Sequence, residues 1–338
     1  VLWNDIGYPA RTDLRRLFAD YYSEISEGVV NDRFVQHQVE DPWLNRFFRS
    51  KPGQALIRLL DGKTGEQRGQ APKARYIHFD FTTPEYATYD KIVGTSPSKC
   101  SRRDLVADLA KALKAKDIAL MVYLPSGAPA ADPLARKMLG WRWGRPGGWQ
   151  LPGEPVGRRL VEFQRNWEAV IREWSLRWGK DLAGWWIDGC YFADEMYRFD
   201  DEPNFASFTG ALKAGNPEAI VAFNPGVRVP VVAHTRYDDY AAGEVDLPKL
   251  AKAIESCPGR WLECEGSNVQ LHILSFLGTS WCRGDRPALP DEEIVAYTKS
   301  VADKGGAITY DVPIQTTGLI PQAFVEQLRA VGQAMTVR

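Results

Sequence analysis

An acidic residue ends a short apolar run in the middle of the chain, at Gly184-Trp185-Trp186-Ile187-Asp188-Gly189. A run of this length bounded by glycine is typical of a buried strand, so the carboxylate of Asp188 is predicted to stand at the strand's C-terminal end. Barrel enzymes carry their catalytic groups at that end of their strands. An Asp-Gly pair is also a strong signal for a turn without chemistry, and the run alone leaves both interpretations open.

Further polar side chains follow the neighbouring predicted strands. Three of these residues lie at a predicted strand end or in the loop that follows it, namely Asn224, Glu244 and Glu265. An amide can bind a hydroxyl group, and a carboxyl group can serve as a general acid or base. Because strand side chains alternate between two faces, Glu263 and Glu265 are predicted to lie on the same face of their strand. Most glutamates are exposed loop residues without a catalytic role, and that alternative stays open for each.

From Cys100 onward, helical and strand patterns alternate, which predicts a parallel sheet covered by helices. The predicted helices are one that begins at Ser101 and those at 157–178, 205–214, 291–304 and 321–335. The predicted strands are 118–124, 184–188, 219–223, 260–264 and 306–311. A Gly- and Pro-rich loop is expected over 125–155, and the run 269–277, which contains His272, is predicted to be helical.

Residues 1–86 carry a second, weaker version of the same pattern. A strand ending in Asp, a strand ending in Asn and a loop carrying Glu occur in both halves, at Asp5, Asn31 and Glu85 and again at Asp188, Asn224 and Glu244. The unequal spacing excludes a regular repeat array. The pattern predicts a duplicated or fused barrel segment, with a chance similarity as the alternative.

Composition and charge exclude several classes of partner. The 338 residues contain 42 Lys and Arg against 43 Asp and Glu, so no strong attraction to nucleic acid or to an anionic membrane is expected. No apolar stretch approaches the length of a membrane span. The five Cys include no Cys-x-x-Cys pair and the four His are scattered, a spacing that does not predict a structural zinc site. The chain begins at Val1 with neither Met nor a signal peptide, so its compartment, periplasmic or cytoplasmic, stays open.

About two-thirds of the chain resembles a known enzyme family. Trp186-Ile187-Asp188-Gly189 is similar to the Trp-Phe-Asp-Gly motif of the α-L-fucosidases of glycoside hydrolase family 29, and residues 304–313 with 318–321 resemble that family's late Gly-Gly strand and Gly-x-Ile-Pro segment. The resemblance begins near Ser101 and runs to the end of the chain. It implies a (β/α)8 TIM-like barrel of α/β class, a retaining mechanism and a nucleophile at Asp188.

Residues 1–86 also resemble this family, but they resemble its middle. The chain is therefore predicted to join two fucosidase-like segments near 86–95. We expect a single catalytic barrel over 1–338, irregular because the rearranged N-terminal segment supplies its first strands. The family's pair of early histidines, which hold the fucose hydroxyls, is missing; the early histidines here are His37 and His78.

The resemblance implies a retaining exo-hydrolysis of terminal α-L-fucosides, which uses two carboxyl groups roughly 5–5.5 Å apart. Asp188 is the predicted nucleophile, with Asp5 as its rival. Glu244 is the first candidate for the acid/base, followed by Glu265 and then Glu263, and a contribution from Glu85 stays open. The candidate sugar-binding residues are His78, Tyr123, Trp186, Asn224, His234 and Trp281.

Two alternatives to a fucosidase follow from the missing histidine pair. One is a barrel with the same chemistry and an altered sugar specificity, and the other is a catalytically inactive barrel that only binds carbohydrate. Every alternative expects a carbohydrate partner and neither metal nor organic cofactor. A barrel completed by a rearranged segment could expose apolar surface, so self-association into a homo-oligomer is a further expectation.

Overall fold

The computed structural model describes residues 88–94, 104–127, 133–141, 159–315 and 319–336. The packing of the chain divides it into two compact units, Val1–Phe79 and Asp80–Arg338, and the described residues belong to the second. The sequence predictions for His78, Asp5 and Glu85 lie outside the described residues. The single barrel over 1–338 and the join near 86–95 therefore stay predictions.

Helices and strands alternate along the second unit. In chain order they are α1 (Thr88–Val93), α2 (Leu105–Lys114), β1 (Met121–Pro125), α3 (Pro133–Leu139), α4 (Val161–Trp178), β2 (Gly184–Asp188), α5 (Ala193–Met196), α6 (Phe205–Leu212), β3 (Ile220–Phe223), α7 (Leu250–Ser256), β4 (Trp261–Cys264), β5 (Ser267–Gln270), β6 (His272–Phe276), α8 (Asp291–Asp303), β7 (Ala307–Asp311) and α9 (Gln322–Thr336). This order confirms the predicted α/β class. None of the helices in the described ranges is both long and apolar enough to cross a bilayer.

Parallel pairing joins most of the strands. β1, β2 and β3 form one parallel sheet, in which Tyr123 stands beside Trp186 and Trp186 beside Ala222. β6 and β7 form a second parallel pair, with Leu274 beside Thr309. Parallel pairs need crossover connections, and the intervening helices supply them.

An irregular extended segment, 239–245, lies between the two parallel groups. On one side the Asp239 N–H donates to the Val221 carbonyl, and on the other the Val245 N–H donates to the Leu274 carbonyl. Its bridges to Gln270, at the end of β5, and to Leu274 on β6 are both parallel. The parallel segments therefore follow in the order β1, β2, β3, 239–245, β6 and β7, and within the described residues they do not close into a barrel.

The two faces of β2 belong to different hydrophobic clusters. Trp185 and Ile187 are fully buried against the helices, where Trp185 packs 5.8 Å from the ring of Trp178 on α4. Trp186 lies on the other face, in a cluster with Ala222, Tyr240 and Ala242. Since side chains alternate along a strand, Asp188 shares the face of Trp186 and points away from the helices.

The predicted helix over 269–277 is wrong, because these residues form β5 and β6. Val269, Leu271 and Ile273 are all fully buried and recur at every second position, which is the period of a strand. The predicted strand 260–264 exists as β4, but it pairs antiparallel with β5 in a hairpin and takes no place among the parallel strands. The pairing of β5 with β4 and of β6 with β7 decided both points.

Several boundaries also differ from the sequence prediction. The helix expected from Ser101 begins at Leu105, because the carboxylate of Asp104 caps it by accepting the Ala107 N–H at 3.0 Å. The helix expected over 157–178 begins at Val161. The region expected to be a loop, 125–155, contains α3.

Candidate active site

Asp188 lies at the C-terminal end of β2, in a turn whose backbone is held from several sides. Its carbonyl accepts the Ser126 N–H at 2.8 Å, and the next carbonyl, of Gly189, accepts the Ser126 hydroxyl at 3.0 Å. The Cys190 N–H donates to the Asn224 carbonyl at 3.1 Å. Gly189 has a φ of +75°, a conformation that glycine adopts without strain. The turn is therefore rigid, as a catalytic side chain requires.

The carboxylate of Asp188 accepts hydrogen bonds from four groups in the described part of the chain. Oδ1 accepts the Gly189 N–H at 2.7 Å, the Asn224 amide at 2.8 Å and the Tyr191 hydroxyl at 3.2 Å. Oδ2 accepts the Tyr123 hydroxyl at 2.6 Å. The two oxygens of Asp188 thus differ, because three donors occupy Oδ1 and one contacts Oδ2.

Glu244 is the second carboxylate of this site. Asn224 Nδ2, which donates to Asp188, also donates to Glu244 Oε2 at 2.6 Å. Since one nitrogen makes both bonds, the two bonded carboxylate oxygens lie no farther apart than the sum of 2.8 and 2.6 Å. Both carboxylates are partly exposed, whereas Asn224 is fully buried between them. The structure therefore brings together two acids that are separated along the chain by α5, α6 and β3.

Two aromatic residues support the carboxylates from the same face of the sheet. The rings of Tyr123 and Trp186 stack with their centroids 5.3 Å apart and their planes 16° apart. The indole N–H of Trp186 donates to the Ala242 carbonyl at 3.1 Å, and its side chain is nearly buried. Trp186 therefore fixes the ring of Tyr123, whose hydroxyl reaches Asp188.

His234 contacts the turn after Asp188 through the backbone. Its Nε2 lies 2.9 Å from the Cys190 carbonyl, and its Nδ1 lies 3.3 Å from a guanidinium nitrogen of Arg198. Burial, with Arg198 and Arg228 adding to it, lowers the pKa of His234 to about 4. The neutral ring thus donates from Nε2 and accepts at Nδ1, and both nitrogens are engaged by the protein.

The three remaining candidates among the described residues lie elsewhere in the second unit. Trp281 packs edge-on against Phe276, at the C-terminal end of β6, with ring centroids 5.1 Å apart. Glu265 lies in the exposed turn of the β4–β5 hairpin, where its carboxylate pairs with Arg198 at 2.8 Å. Its neighbour Glu263 is exposed and accepts the Gly266 N–H. Among the candidates, the structure therefore groups Asp188, Glu244, Asn224, Tyr123 and Trp186.

Sequence reasoning missed Tyr191, whose hydroxyl donates to Asp188. Tyr191 stands three residues after Asp188, and its place in the turn was the available signal. His272 is buried on β6, with Nδ1 2.9 Å from the Ala241 carbonyl and Nε2 2.9 Å from the Thr309 hydroxyl. In the described ranges no three His, Cys, Asp or Glu side chains form a group that could hold a metal ion.

Comparison with solved structures finds proteins of similar fold. No protein-family model matches the chain, and no curated protein matches it. The endo-fucoidan hydrolase MfFcnA4 of glycoside hydrolase family 107 is similar in structure, with a TM-score of 0.54 and 20% identity over 70% of this chain and 40% of that chain. MfFcnA9 of the same family gives a TM-score of 0.50 and 19% identity over 66% and 47%.

A third structure, the α-L-fucosidase AlfC from Lactobacillus casei, gives a TM-score of 0.48 and 14% identity over 77% of this chain and 72% of that one. A likeness this distant adds no argument. The described α/β unit thus shares its fold with family 107 hydrolases, and the chain spans less than half the length of the two fucoidan hydrolases. The resemblance of the sequence to family 29 stays a prediction.

Proposed function

We propose that the chain is a retaining glycoside hydrolase that cleaves terminal α-L-fucosides, with Asp188 and Glu244 as its catalytic pair. The observation that carries this proposal is the single Asn224 nitrogen that donates to both carboxylates, at 2.8 and 2.6 Å. Retaining enzymes hold their carboxyl groups roughly 5–5.5 Å apart, whereas inverting enzymes leave room for a water at roughly 6.5–9.5 Å. The short distance between the two carboxylate oxygens that share Asn224 Nδ2 favours the retaining geometry. The likeness to an endo-fucoidan hydrolase supports a fucose-containing substrate.

In the first step, Asp188 Oδ2 attacks the anomeric carbon. Oδ2 is the attacking oxygen because three donors already occupy the lone-pair directions of Oδ1. The bond from the anomeric carbon to the leaving oxygen breaks as Glu244 transfers its proton to that oxygen. The result is a glycosyl ester on Asp188 and an ionised Glu244.

In the second step, Glu244 acts as a base. It takes a proton from a water molecule, whose oxygen attacks the anomeric carbon, and the ester bond to Asp188 Oδ2 breaks. The Tyr123 hydroxyl, 2.6 Å from Oδ2, stabilises the carboxylate that departs. Two displacements at one carbon leave the anomeric configuration unchanged.

The test is the hydrolysis of 4-nitrophenyl α-L-fucoside by the wild type and by Asp188→Ala. We expect activity in the wild type, its loss in the variant, and its return with added azide, which forms the β-L-fucosyl azide in place of the ester. Activity that survives in Asp188→Ala overturns the assignment of the nucleophile. A wild type that cleaves no fucoside and only binds one would favour the inactive carbohydrate-binding barrel.

A second candidate function is the endo-hydrolysis of a fucose polymer. The likeness to MfFcnA4 favours it, and so does the partly exposed Trp281 beside the end of β6, where a ring could stack on a further sugar unit. Product sizes from digested fucoidan distinguish the two. An exo-enzyme releases monosaccharide from the start, whereas an endo-enzyme first produces long oligosaccharides. A panel of other glycosides tests the altered-sugar alternative.

A further inference from the structure

We propose that Asn224 is a positioning residue, whose one amide nitrogen holds both carboxylates and places the transferable proton of Glu244 on Oε1. The inference rests on the proposed function, since it assigns a role within the same pair. The sequence had suggested instead that Asn224 binds a sugar hydroxyl.

The orientation of the Asn224 amide is fixed by its hydrogen bonds. The side-chain oxygen accepts the Gly226 N–H at 3.0 Å, so the nitrogen faces the two acids. An amide nitrogen carries two hydrogens, and the two bonds to Asp188 and Glu244 use both. A sugar hydroxyl could therefore take an Asn224 hydrogen only by displacing one carboxylate.

The backbone holds Asn224 as firmly as the side-chain contacts do. Its N–H donates to the Ile187 carbonyl at 2.7 Å, and its carbonyl accepts the Cys190 N–H at 3.1 Å. These bonds extend the pairing of β2 and β3 by one residue beyond the end of β3. Because the side chain is fully buried, it has no room to turn toward the solvent.

The two hydrogen bonds that Asn224 donates also decide which oxygen of each acid reacts. In a protonated carboxyl group the carbonyl oxygen is the better acceptor, and Oε2 of Glu244 accepts the Asn224 hydrogen at 2.6 Å. The proton of Glu244 is therefore on Oε1. The second Asn224 hydrogen occupies Oδ1 of Asp188, which leaves the attack to Oδ2. A neutral donor between two acids supports both without adding charge.

The experiment compares Asn224→Ala and Asn224→Asp with a matched control, Asn216→Ala. Asn216 precedes β3, donates its amide to the Leu182 carbonyl at 2.9 Å and accepts the Glu218 N–H at 3.2 Å. Asn216 thus lies just before β3, as Asn224 lies just after it, and its side-chain hydrogen bonds go to neither acid. The readouts are kcat/KM for 4-nitrophenyl α-L-fucoside as a function of pH, and ¹³C NMR titration of the Asp188 and Glu244 carboxyl carbons.

We expect both Asn224 variants to lose about 100-fold in kcat/KM, because the pair is no longer held at the reacting distance. Their pH profiles and both carboxyl titrations should move to higher pH, since the charged forms lose a donated hydrogen bond. Asn216→Ala should lower only the melting temperature. Asn224 variants that keep the wild-type pH profile and titrations overturn the proposal, whatever their stability.

The NMR readout separates this proposal from the proposed function. If the wild type cleaves no glycoside, the proposed function fails. The NMR titrations of the two carboxyl groups then test the positioning role of Asn224 by themselves. Carboxyl titrations that shift in Asn224→Ala and stay unchanged in Asn216→Ala then support the positioning role. Identical titrations in the wild type and in Asn224→Ala overturn it.

Discussion

The hydroxyl of Tyr123 donates a 2.6 Å hydrogen bond to Asp188 Oδ2, the oxygen assigned to nucleophilic attack. The strand register explains this contact. Tyr123 on β1 stands beside Trp186 on β2, and Asp188 follows two residues later on the same face. The stacked indole of Trp186 holds the phenol ring of Tyr123 in place. The hydroxyl of Tyr123 is therefore held within hydrogen-bond distance of the Asp188 carboxylate.

Tyr123→Phe should slow the second chemical step more than the first. A hydrogen bond to a charged group contributes about 1.5–3 kcal/mol, and the Tyr123 bond stabilises the carboxylate that leaves during hydrolysis of the ester. We expect kcat to fall roughly 10- to 100-fold, with a rapid initial burst of nitrophenol as the glycosyl ester accumulates. Stopped-flow absorbance measures the burst.

Tyr191→Phe is the matched control for this prediction. The Tyr191 hydroxyl donates to Asp188 Oδ1 at 3.2 Å. When the substitution removes this hydroxyl, Oδ1 still accepts hydrogen bonds from Gly189 and Asn224. The effect on kcat should therefore be smaller, and no burst should appear. Equal effects of the two substitutions would contradict the assignment of Oδ2 as the attacking oxygen.

The first two candidates for the acid/base, Glu244 and Glu265, can be distinguished by one pair of substitutions. Glu244→Gln should abolish hydrolysis of substrates with poor leaving groups, because Gln cannot donate the required proton. Glu265→Gln should leave kcat/KM near that of the wild type, since its exposed carboxylate pairs with Arg198 in a hairpin turn. Loss of activity in Glu265→Gln with retention in Glu244→Gln would reverse the assignment. Kinetics on aryl and alkyl fucosides supply the measurement.

Gly243 is required where segment 239–245 approaches β6. Its φ is +64°, and a Cβ at this position would lie 2.0 Å from the carbonyl oxygen of His272. Gly243→Ala should therefore cost on the order of 3 kcal/mol of unfolding free energy and displace the adjacent Glu244. Urea unfolding and kcat/KM measure the two effects.

Gly266→Ala serves as the control for that substitution. Gly266 has a φ of +81° but open space where its Cβ would be placed. It should cost on the order of 1 kcal/mol for the backbone conformation alone and leave activity intact. If both alanine variants are equally stable and active, the close approach of Gly243 to β6 does not position Glu244.

Burial of His272 gives the folded protein a specific dependence on pH. Burial lowers the pKa of His272 to about 4, whereas its ordinary value is 6.5. Between these values the unfolded chain binds a proton that the folded chain excludes, so His272 destabilises the fold as the pH falls from 6.5 toward about 4. Above pH 6.5 this effect is absent.

The comparison of the wild type with His272→Gln isolates this effect from other titrating groups. From above pH 6.5 to about pH 4, the wild type should lose on the order of 3 kcal/mol of unfolding free energy relative to the variant. Urea unfolding across this range measures the difference. Parallel pH curves for the two proteins would show that His272 titrates alike in the folded and unfolded states.

Local sequence patterns predicted the part of the site that lies on one strand. The apolar run before Asp188 and the glycine after it specify a buried strand and a turn, because both signals lie within six consecutive residues. Strand periodicity then puts Trp186 on the face of Asp188. The structure has this strand as β2, over Gly184–Asp188, with the turn directly after it.

Sequence patterns did not predict the strands over 269–277. The apolar run that forms β5 and β6 contains enough hydrophobic residues to be compatible with a helix, and only the pairing of β5 with β4 and of β6 with β7 decides for strands. The same hairpin carries Glu265 to an exposed turn and thereby separates it from Asp188. The β4–β5 pairing is local, since only Glu265 and Gly266 separate the two strands. The β6–β7 pairing leaves no local signal, because α8 lies between its two strands.

The sequence by itself determined which segments end in acids or amides, since that depends only on neighbouring residues. Only the tertiary structure decided that Glu244 stands with Asp188, because Asn224 joins them across sequence separations of 36 and 20 residues. The order and register of the parallel segments set those distances. Donor and acceptor atoms must approach to about 3.2 Å or closer for a good hydrogen bond. The identity of the pair is therefore a property of the sheet and not of any one strand.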